Sequence, residues 1–291
     1  MKFHRVYVEL TNICGLQCTF CPPKVRPTNT MSLSFFERIL EELRPYTKEL
    51  AYHIVGDPLA LSNLEAYLNV THQKGFRVSL TTSGYYLNKH VLPTFLHPAI
   101  KQINFSLNSY NKNQIPLSFE AYMKPILELC ALKHEKRKEL FINLRVWNMD
   151  EKQSEKAFNE QLFACFEKTF SIPLHVKEIY EQKPKSIRLD EKILLHFDNY
   201  FEWPSLLATH QSHGSCQGMD SHFGILADGT VVPCCLDKDG AIELGNLHVN
   251  TLDTILSSQR VKAIRKGFKV GCAVEILCQK CLYKERFKEK S

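Results

Sequence analysis

Cys14-Gly15-Leu16-Gln17-Cys18-Thr19-Phe20-Cys21 places three thiols at C-x3-C-x2-C spacing directly after a β-branched run at residues 6–10. Three thiolates on one tight loop can hold three irons of a [4Fe–4S] cube, and the missing fourth cysteine leaves one iron open to an external ligand. A structural zinc site wants four protein ligands. No Cys or His within the seven residues after Cys21 supplies a fourth, and His4 lies at the other end of the run. Zinc, or three thiols with no common ligand, is the competing reading.

A second cysteine set lies near the C-terminus. Cys216, twelve residues, Gly229, four residues and Cys234 make one half, and Cys278-Gln279-Lys280-Cys281 the other. Asp228-Gly229 between apolar runs at 223–226 and 230–232 is a hairpin signal. Cys216 and Cys234 would flank that hairpin, while Cys278 and Cys281 share a turn. Four thiolates would fill a cluster, and four cysteines in two pairs also suit zinc. Cys235 and Cys272 are spare thiols able to replace a ligand. His53 and His72 are single histidines better explained by packing or solvent hydrogen bonds.

The chain has 291 residues, eleven of them cysteine. Cys130 and Cys165 stand alone in helix-like stretches and read as core residues. Clustered thiols in a reducing compartment point to metal. No segment approaches the ~20 apolar residues of a membrane-spanning helix. Met1-Lys2-Phe3-His4-Arg5 turns charged before a secretory apolar region can form, so the cytoplasm is the expected location. The net charge of +6 is uneven, because residues 260–291 carry ten Lys/Arg against three Asp/Glu. Such a tail reads as a solvated helix face, or as an attractor of nucleic acid or an acidic partner.

The elements that must position the first cysteines alternate along the chain. β-branched runs at 6–10, 51–55, 76–81, 102–107, 140–146 and 173–178 are separated by helical stretches at 33–43, 64–74, 89–95, 119–134 and 151–168. Capping boxes are read at Ser34–Glu37 and Ser62–Glu65, and Gly75 is a natural residue just past a helix end. Alternation of this kind means parallel strands with right-handed crossovers. Six units are too few for a closed eight-stranded barrel, so the expected fold is an α/β partial (β/α)6 TIM-like barrel. Chemistry then belongs at the C-terminal strand ends, where Thr11-Asn12, Gly56-Asp57-Pro58, Thr82-Ser83-Gly84, Ser106, Asn108, Arg145 and Trp147-Asn148 all fall. After about residue 205 the rhythm changes, which divides the chain into residues 1–205 and a small cysteine-rich domain at 206–291. A helix at 252–266 is expected there.

The Cys14–Cys21 loop, with Phe20 before its last cysteine, resembles the signature of the radical S-adenosylmethionine (SAM) superfamily. The resemblance implies that the open iron chelates SAM, and that one electron from the cluster cleaves SAM to methionine and a hydrogen-abstracting 5′-deoxyadenosyl radical. Val55-Gly56-Asp57-Pro58 resembles the family's Gly-Gly-Glu-Pro segment beside the SAM amino group, with Val55 and Asp57 as departures. Thr82-Ser83-Gly84 is similar to its Thr-Asn-Gly, and residues 103–108 to its Ile-Ser-Leu-Asp, which implies SAM contacts at Ser83, Ser106 and Asn108. Arg145 resembles fifth-strand residues that grip the SAM carboxylate, a task that suits arginine; an ordinary surface arginine is the alternative. The C-terminal cysteines resemble a Twitch or shortened SPASM extension, implying an auxiliary [4Fe–4S] cluster on Cys216, Cys234, Cys278 and Cys281.

The implied function is a radical SAM oxidoreductase of dehydrogenase or peptide-modifying type, with the auxiliary cluster as electron acceptor and flavodoxin or ferredoxin as reductant. An RNA-modifying or cofactor-building radical enzyme is the alternative, and a zinc- or cluster-stabilised binding module the non-enzyme one. A molybdopterin-pathway cyclase fits poorly, since that family ends in Gly-Gly and this chain in Lys288-Glu289-Lys290-Ser291. Two four-iron cubes predict about eight irons per anaerobically reconstituted chain, and about four after Cys14, Cys18 and Cys21 are replaced by Ala. Iron analysis giving about four in the unaltered protein, with stoichiometric zinc, would refute the auxiliary cluster.

Overall fold

The computed structural model describes residues 1–137, 139–147, 156–209 and 213–287. Asn148 and the start of the expected 151–168 helix lie outside the described residues. Five of the β-branched runs form strands: β1 (Arg5–Val8), β2 (Glu49–Tyr52), β3 (Arg77–Thr82), β4 (Ile100–Ser106) and β5 (Phe141–Trp147). They pair in parallel in chain order. The helices of this part are α1 (Leu33–Leu43), α2 (Leu64–Gln73), α3 (Asn108–Asn111), α4 (Phe119–Lys136), α5 (Lys156–Phe170) and α6 (Val176–Gln182).

The sixth strand is not where the β-branched run suggested. Residues 173–178 lead into α6, because Pro173 cannot donate to a ladder and the apolar spacing from Val176 to Ile179 is helical. The strand that completes the barrel is β7 (Ile193–Asp198), parallel to β5, with β6 (Ser186–Asp190) antiparallel at its edge. The expected 89–95 helix is replaced by two 3-10 turns, Leu87–Lys89 and Leu92–Leu96, the second opening on Pro93.

Helix ends show the same local chemistry one or two residues from the expected boxes. Ser32, not Ser34, caps α1 by accepting from the Phe35 N–H at 3.2 Å, which turns Phe36, Ile39, Leu40 and Leu43 into the sheet. Asn63 begins α2 without a side-chain cap. Gly75 adopts φ +76°, and bonds from its N–H to His72 and from Phe76 N–H to Thr71, at 2.9 and 3.0 Å, close α2 in a Schellman turn.

Beyond residue 205 the chain returns to the same sheet. β8 (His222–Ile225) pairs parallel with β1, and β9 (Thr230–Val232) and β10 (Gly245–Asn246) continue it. The result is one ten-stranded sheet in the order β10-β9-β8-β1-β2-β3-β4-β5-β7-β6. The expected 252–266 helix is two helices, α7 (Leu252–Ser257) and α8 (Gln259–Lys269), because Ser258 is extended and caps the second through Val261 N–H. The short α9 (Ile276–Gln279) follows. No helix among the described residues is long and apolar enough to cross a membrane.

Strand alternation separates two chemistries. Val6, Val8, Leu50, Tyr52, Val78, Leu80, Ile103, Phe105, Ile142, Leu144, Ile193 and Leu195 are buried in the layer between sheet and helices, which is the main core. Their neighbours Tyr7, Ala51, Ser79, Thr81, Gln102, Asn104, Asn143, Arg145 and His196 line the lumen. The loops over that lumen are locked together: Asp57 N–H donates to Ile13 O at 2.8 Å, and a Cβ on Gly56 would stand 1.8 Å from the Thr11 carbonyl oxygen. Gly56→Ala must push two loop backbones apart. It should destabilise the protein by about 1–3 kcal/mol, the scale of core overpacking, and lower the thermal midpoint in anaerobic calorimetry; an unchanged midpoint would show that the loops yield freely.

Candidate active site

Cys14, Cys18 and Cys21 lie on the loop that leaves β1 and line a cavity of about 700 Å³. The loop is held by its neighbours as well as by its own backbone. Gln17 N–H donates to Asn113 Oδ1 at 2.9 Å, Thr19 N–H to Lys112 O at 3.2 Å, and Cys21 N–H to Cys18 O at 2.9 Å. Gly15 sits at φ +71°, packed so closely that a Cβ would meet the Tyr86 hydroxyl. Asn113 Nδ2 also donates to Cys18 Sγ at 2.9 Å. A hydrogen bond from the Cys21 thiol, aided by Asn113, lowers the Cys18 pKa, while burial and then the Asp57 carboxyl push Cys14 up to about 11.

The residues implied to touch SAM divide into two sorts. Asp57, Ser83 and Asn108 are committed to the protein. Asp57 Oδ1 accepts from Leu59 N–H at 3.0 Å; its Oδ2 accepts from Thr82 Oγ1, Ser83 N–H and Ser83 Oγ at 2.9, 2.9 and 2.7 Å. Burial raises its carboxyl above the usual range against these bonds, which favour the charged form. Asn108 Oδ1 accepts from Trp147 N–H at 2.9 Å and so ties the end of β4 to the end of β5. Pro58 is buried at the start of a 3-10 turn and lies outside the main cavity wall. Phe20, Gly56, Ser106 and Arg145 face the cavity. Phe20 stands edge-on to Trp147 with centroids 4.4 Å apart. Arg145 donates to Asp198 Oδ2 at 2.7 Å, and Asp198 Oδ1 accepts from Arg286 at 3.1 Å.

Cys216, Cys234, Cys278 and Cys281 line the same cavity. Gly218 stands beside the first two: a Cβ there would lie 3.8 Å from both Cys216 Sγ and Cys234 Cβ, and 3.1 Å from the Pro233 carbonyl oxygen. The buried Lys284 ammonium donates to the carbonyls of Cys278, Gln279 and Cys281, pinning the Cys-x2-Cys turn. Of the spare thiols, Cys235 faces the cavity and Cys272 is exposed outside it. Burial pushes Cys234 far up, and the neighbouring Cys235, Cys216 and Cys278 thiols add to that rise. Burial likewise holds Cys235 up at about 11. Buried thiols that disfavour one another's charge suit a polycation, which deprotonates its ligands outright. Among the described residues no three His, Cys, Asp or Glu groups converge tightly enough for a single ion; a cube of irons holds its thiolates on separate metals and does not need that convergence. Both sets fit iron–sulfur clusters.

Residues that sequence reasoning passed over complete the cavity. Tyr7, Gln102, Asn104, Asn143, His196 and Asp198 line it. Their signal was present as polar residues at every second position, in Gln102-x-Asn104-x-Ser106 and His196-x-Asp198. His53 also lines the cavity, where burial and then Arg145 push it down to about 4. His72 lies elsewhere, edge-on to His97.

A partial parallel barrel thus carries an open three-cysteine loop at its C-terminal rim and a four-cysteine site facing the same lumen. Residues 8–146 match the radical SAM superfamily model, and residues 216–282 match that of the SPASM iron–sulfur cluster-binding domain. The chain carries a radical SAM-type segment, just under half its length, followed by a SPASM-type C-terminal segment. It is similar to the S-adenosyl-L-methionine-dependent 2-deoxy-scyllo-inosamine dehydrogenase of Niallia circulans, 24% identical over 107 residues, or 34% of this chain and 43% of that protein. It is also similar to the GTP 3′,8-cyclase of Vibrio vulnificus, 29% identical over 118 residues, or 37% of this chain and 34% of that protein. The chain thus spans less than half the length of these curated relatives. The structure of BtrN in complex with AdoMet and 2-DOIA shares the fold, with a TM-score of 0.62, 17% identity and coverage of 97% and 94% of the two chains.

The Asp57 carboxylate joins the loop after β2 to the end of β3 through donors only. Asp57→Asn turns one acceptor into an NH2 facing donors, and should cost about 1–3 kcal/mol per unmatched group, read as a lower midpoint in denaturant unfolding. An unchanged midpoint would mean that the four bonds carry no net stability.

Proposed function

We propose that this protein is a radical SAM oxidoreductase that removes a hydrogen atom and then an electron from a small-molecule or peptide substrate. The observation that carries the reading is that both cysteine sets open onto one cavity. In it, residues 1–205 work as the SAM core and 206–291 as the auxiliary domain. Cys14, Cys18 and Cys21 hold the SAM cluster, and Cys216, Cys234, Cys278 and Cys281 the auxiliary one. When bound, these groups supply hydrogen-atom abstraction through SAM at one end of the cavity and a one-electron acceptor at the other.

The chain's own residues bind and orient. Phe20 and the Gly56 backbone flank SAM, Ser106 offers it an uncommitted hydroxyl, and Arg145 binds its carboxylate while Asp198 holds the guanidinium in place. Asp57, Pro58, Ser83 and Asn108 fix the walls that carry these groups. The name of the N. circulans relative supports the dehydrogenase type. The protein works in the cytoplasm with flavodoxin or ferredoxin as reductant, an acidic class that its basic C-terminal segment attracts.

Cys278→Ala/Cys281→Ala separates the two ends. The variant should still cleave SAM and move deuterium from a labelled substrate into 5′-deoxyadenosine, yet fail to make the oxidised product. A soluble, folded variant making that product at the normal rate would remove the acceptor role. Absence of SAM cleavage by the reduced wild-type protein would remove the whole reading.

A further inference from the structure

Where β4, β5 and β7 face the lumen between the two cysteine sets, they present uncharged polar side chains with unused bonding capacity. Gln102 Nε2 and Asn143 Nδ2 both donate to Asn104 Oδ1, at 2.7 and 3.0 Å, and Asn104 Nδ2 donates to Leu80 O at 3.1 Å. That chain fixes the amide orientations and leaves Asn143 Oδ1 buried with no partner. His196 Nδ1, on the neighbouring strand, is likewise buried and unpartnered. Both residues line the cavity. Buried polar atoms are ordinarily satisfied, so two orphans in one wall mark positions that a ligand completes.

Charge limits what that ligand carries. The carboxylates lining the cavity among the described residues are Asp57, Asp198 and Asp237. Asp57 takes its four protein donors, and Asp198 lies between Arg145 and Arg286. Asp237 accepts from the N–H groups of Ala241 and Ile242, at 2.8 Å each. No acid is left to neutralise an ammonium group.

We propose that the lumen binds a polyhydroxylated small molecule without a cationic group through Asn143 Oδ1 and His196 Nδ1, and that this is the enzyme's substrate class. The proposal rests on the radical SAM reading above and narrows its substrate. A hydroxyl both donates and accepts, so adjacent hydroxyls complete an amide oxygen and an imidazole nitrogen together. A peptide side chain without hydroxyls, or an apolar ring, would bury both atoms unpaired.

Equilibrium dialysis of the reconstituted holoenzyme with SAM tests this with scyllo-inositol, scyllo-inosamine and cyclohexanol as probes. Scyllo-inositol should bind saturably, and roughly tenfold more tightly than either of the others, the scale of one well-made polar contact. This comparison uses only wild-type protein. Asn143→Leu and His196→Leu should each weaken scyllo-inositol binding by a similar factor. Absence of saturable scyllo-inositol binding, equal binding of cyclohexanol or scyllo-inosamine, or unchanged affinity in both variants would overturn the proposal. Dialysis requires no reduction and no SAM cleavage, so a failure of the radical SAM reading shows separately, as wild-type protein that binds the polyol yet leaves SAM intact.

Discussion

The site depends on β1 being paired along both edges, and one buried carboxylate secures that arrangement. Glu9, 3% exposed, accepts from Val55 N–H and from Ala227 N–H, both at 3.2 Å. It therefore holds the exit of β2 on one side of the first strand and the exit of β8 on the other. Burial raises its carboxyl above the ordinary range, against the backbone donors that favour the charged form. Only with β8 in this register does the cysteine hairpin of the C-terminal part face the lumen that the N-terminal cysteine loop covers. The Arg26–Asp228 ion pair and the bond from Lys238 Nζ to Pro23 O at 3.0 Å repeat the connection further out.

Much of this was legible in the sequence where local chemistry dictates structure. The cysteine spacings, five of the barrel strands, Gly75 as a helix stop and the Asp228-Gly229 hairpin all follow from short-range rules. What escaped was decided at longer range. Residues 173–178 look β-branched, yet Pro173 and the packing of Leu174 and Ile179 turn them helical, and the true strand was hidden in Ile193-Leu194-Leu195-His196-Phe197. Asp57 reads as a ligand residue from its motif, but its partners Thr82 and Ser83 come from another strand. Arg145 reads as a grip on the SAM carboxylate or as a surface arginine, and its partner Asp198, 53 residues later, is invisible until the strands are placed. That β8 would join β1 was beyond local inspection, because nothing in a four-residue strand names its neighbour.

The barrel inverts the usual distribution of polarity. Closed barrels fill their interior with branched apolar side chains; here the apolar side of each strand faces the helices and the polar side faces inward. Stability thus comes from the outer layer, which leaves the lumen free to hold water or ligand. Aromatic rings form part of the cavity wall. Phe20 meets Trp147, Trp147 meets Tyr200 at 5.5 Å, and Phe201 meets Tyr283 at 5.4 Å. This wall runs from the residue before Cys21 to the residues after Cys281, a stiff apolar surround that lowers the local dielectric near both cysteine sets.

The pairing of Val6 with Phe223 also sets the order in which the molecule matures. A ribosome delivers the N-terminal cysteine loop first, and the strand that flanks β1, with the Asp228 that grips Arg26, emerges some two hundred residues later. At ~5–20 residues per second, the loop waits tens of seconds for its buttress, and closing so long a loop is slow in its own right. The thiols of Cys14, Cys18 and Cys21 are therefore presented to the cell before their permanent setting exists. That setting is completed late, when the C-terminal part joins β1, and a nascent chain stalled before β8 exposes the three thiols with no wall behind them.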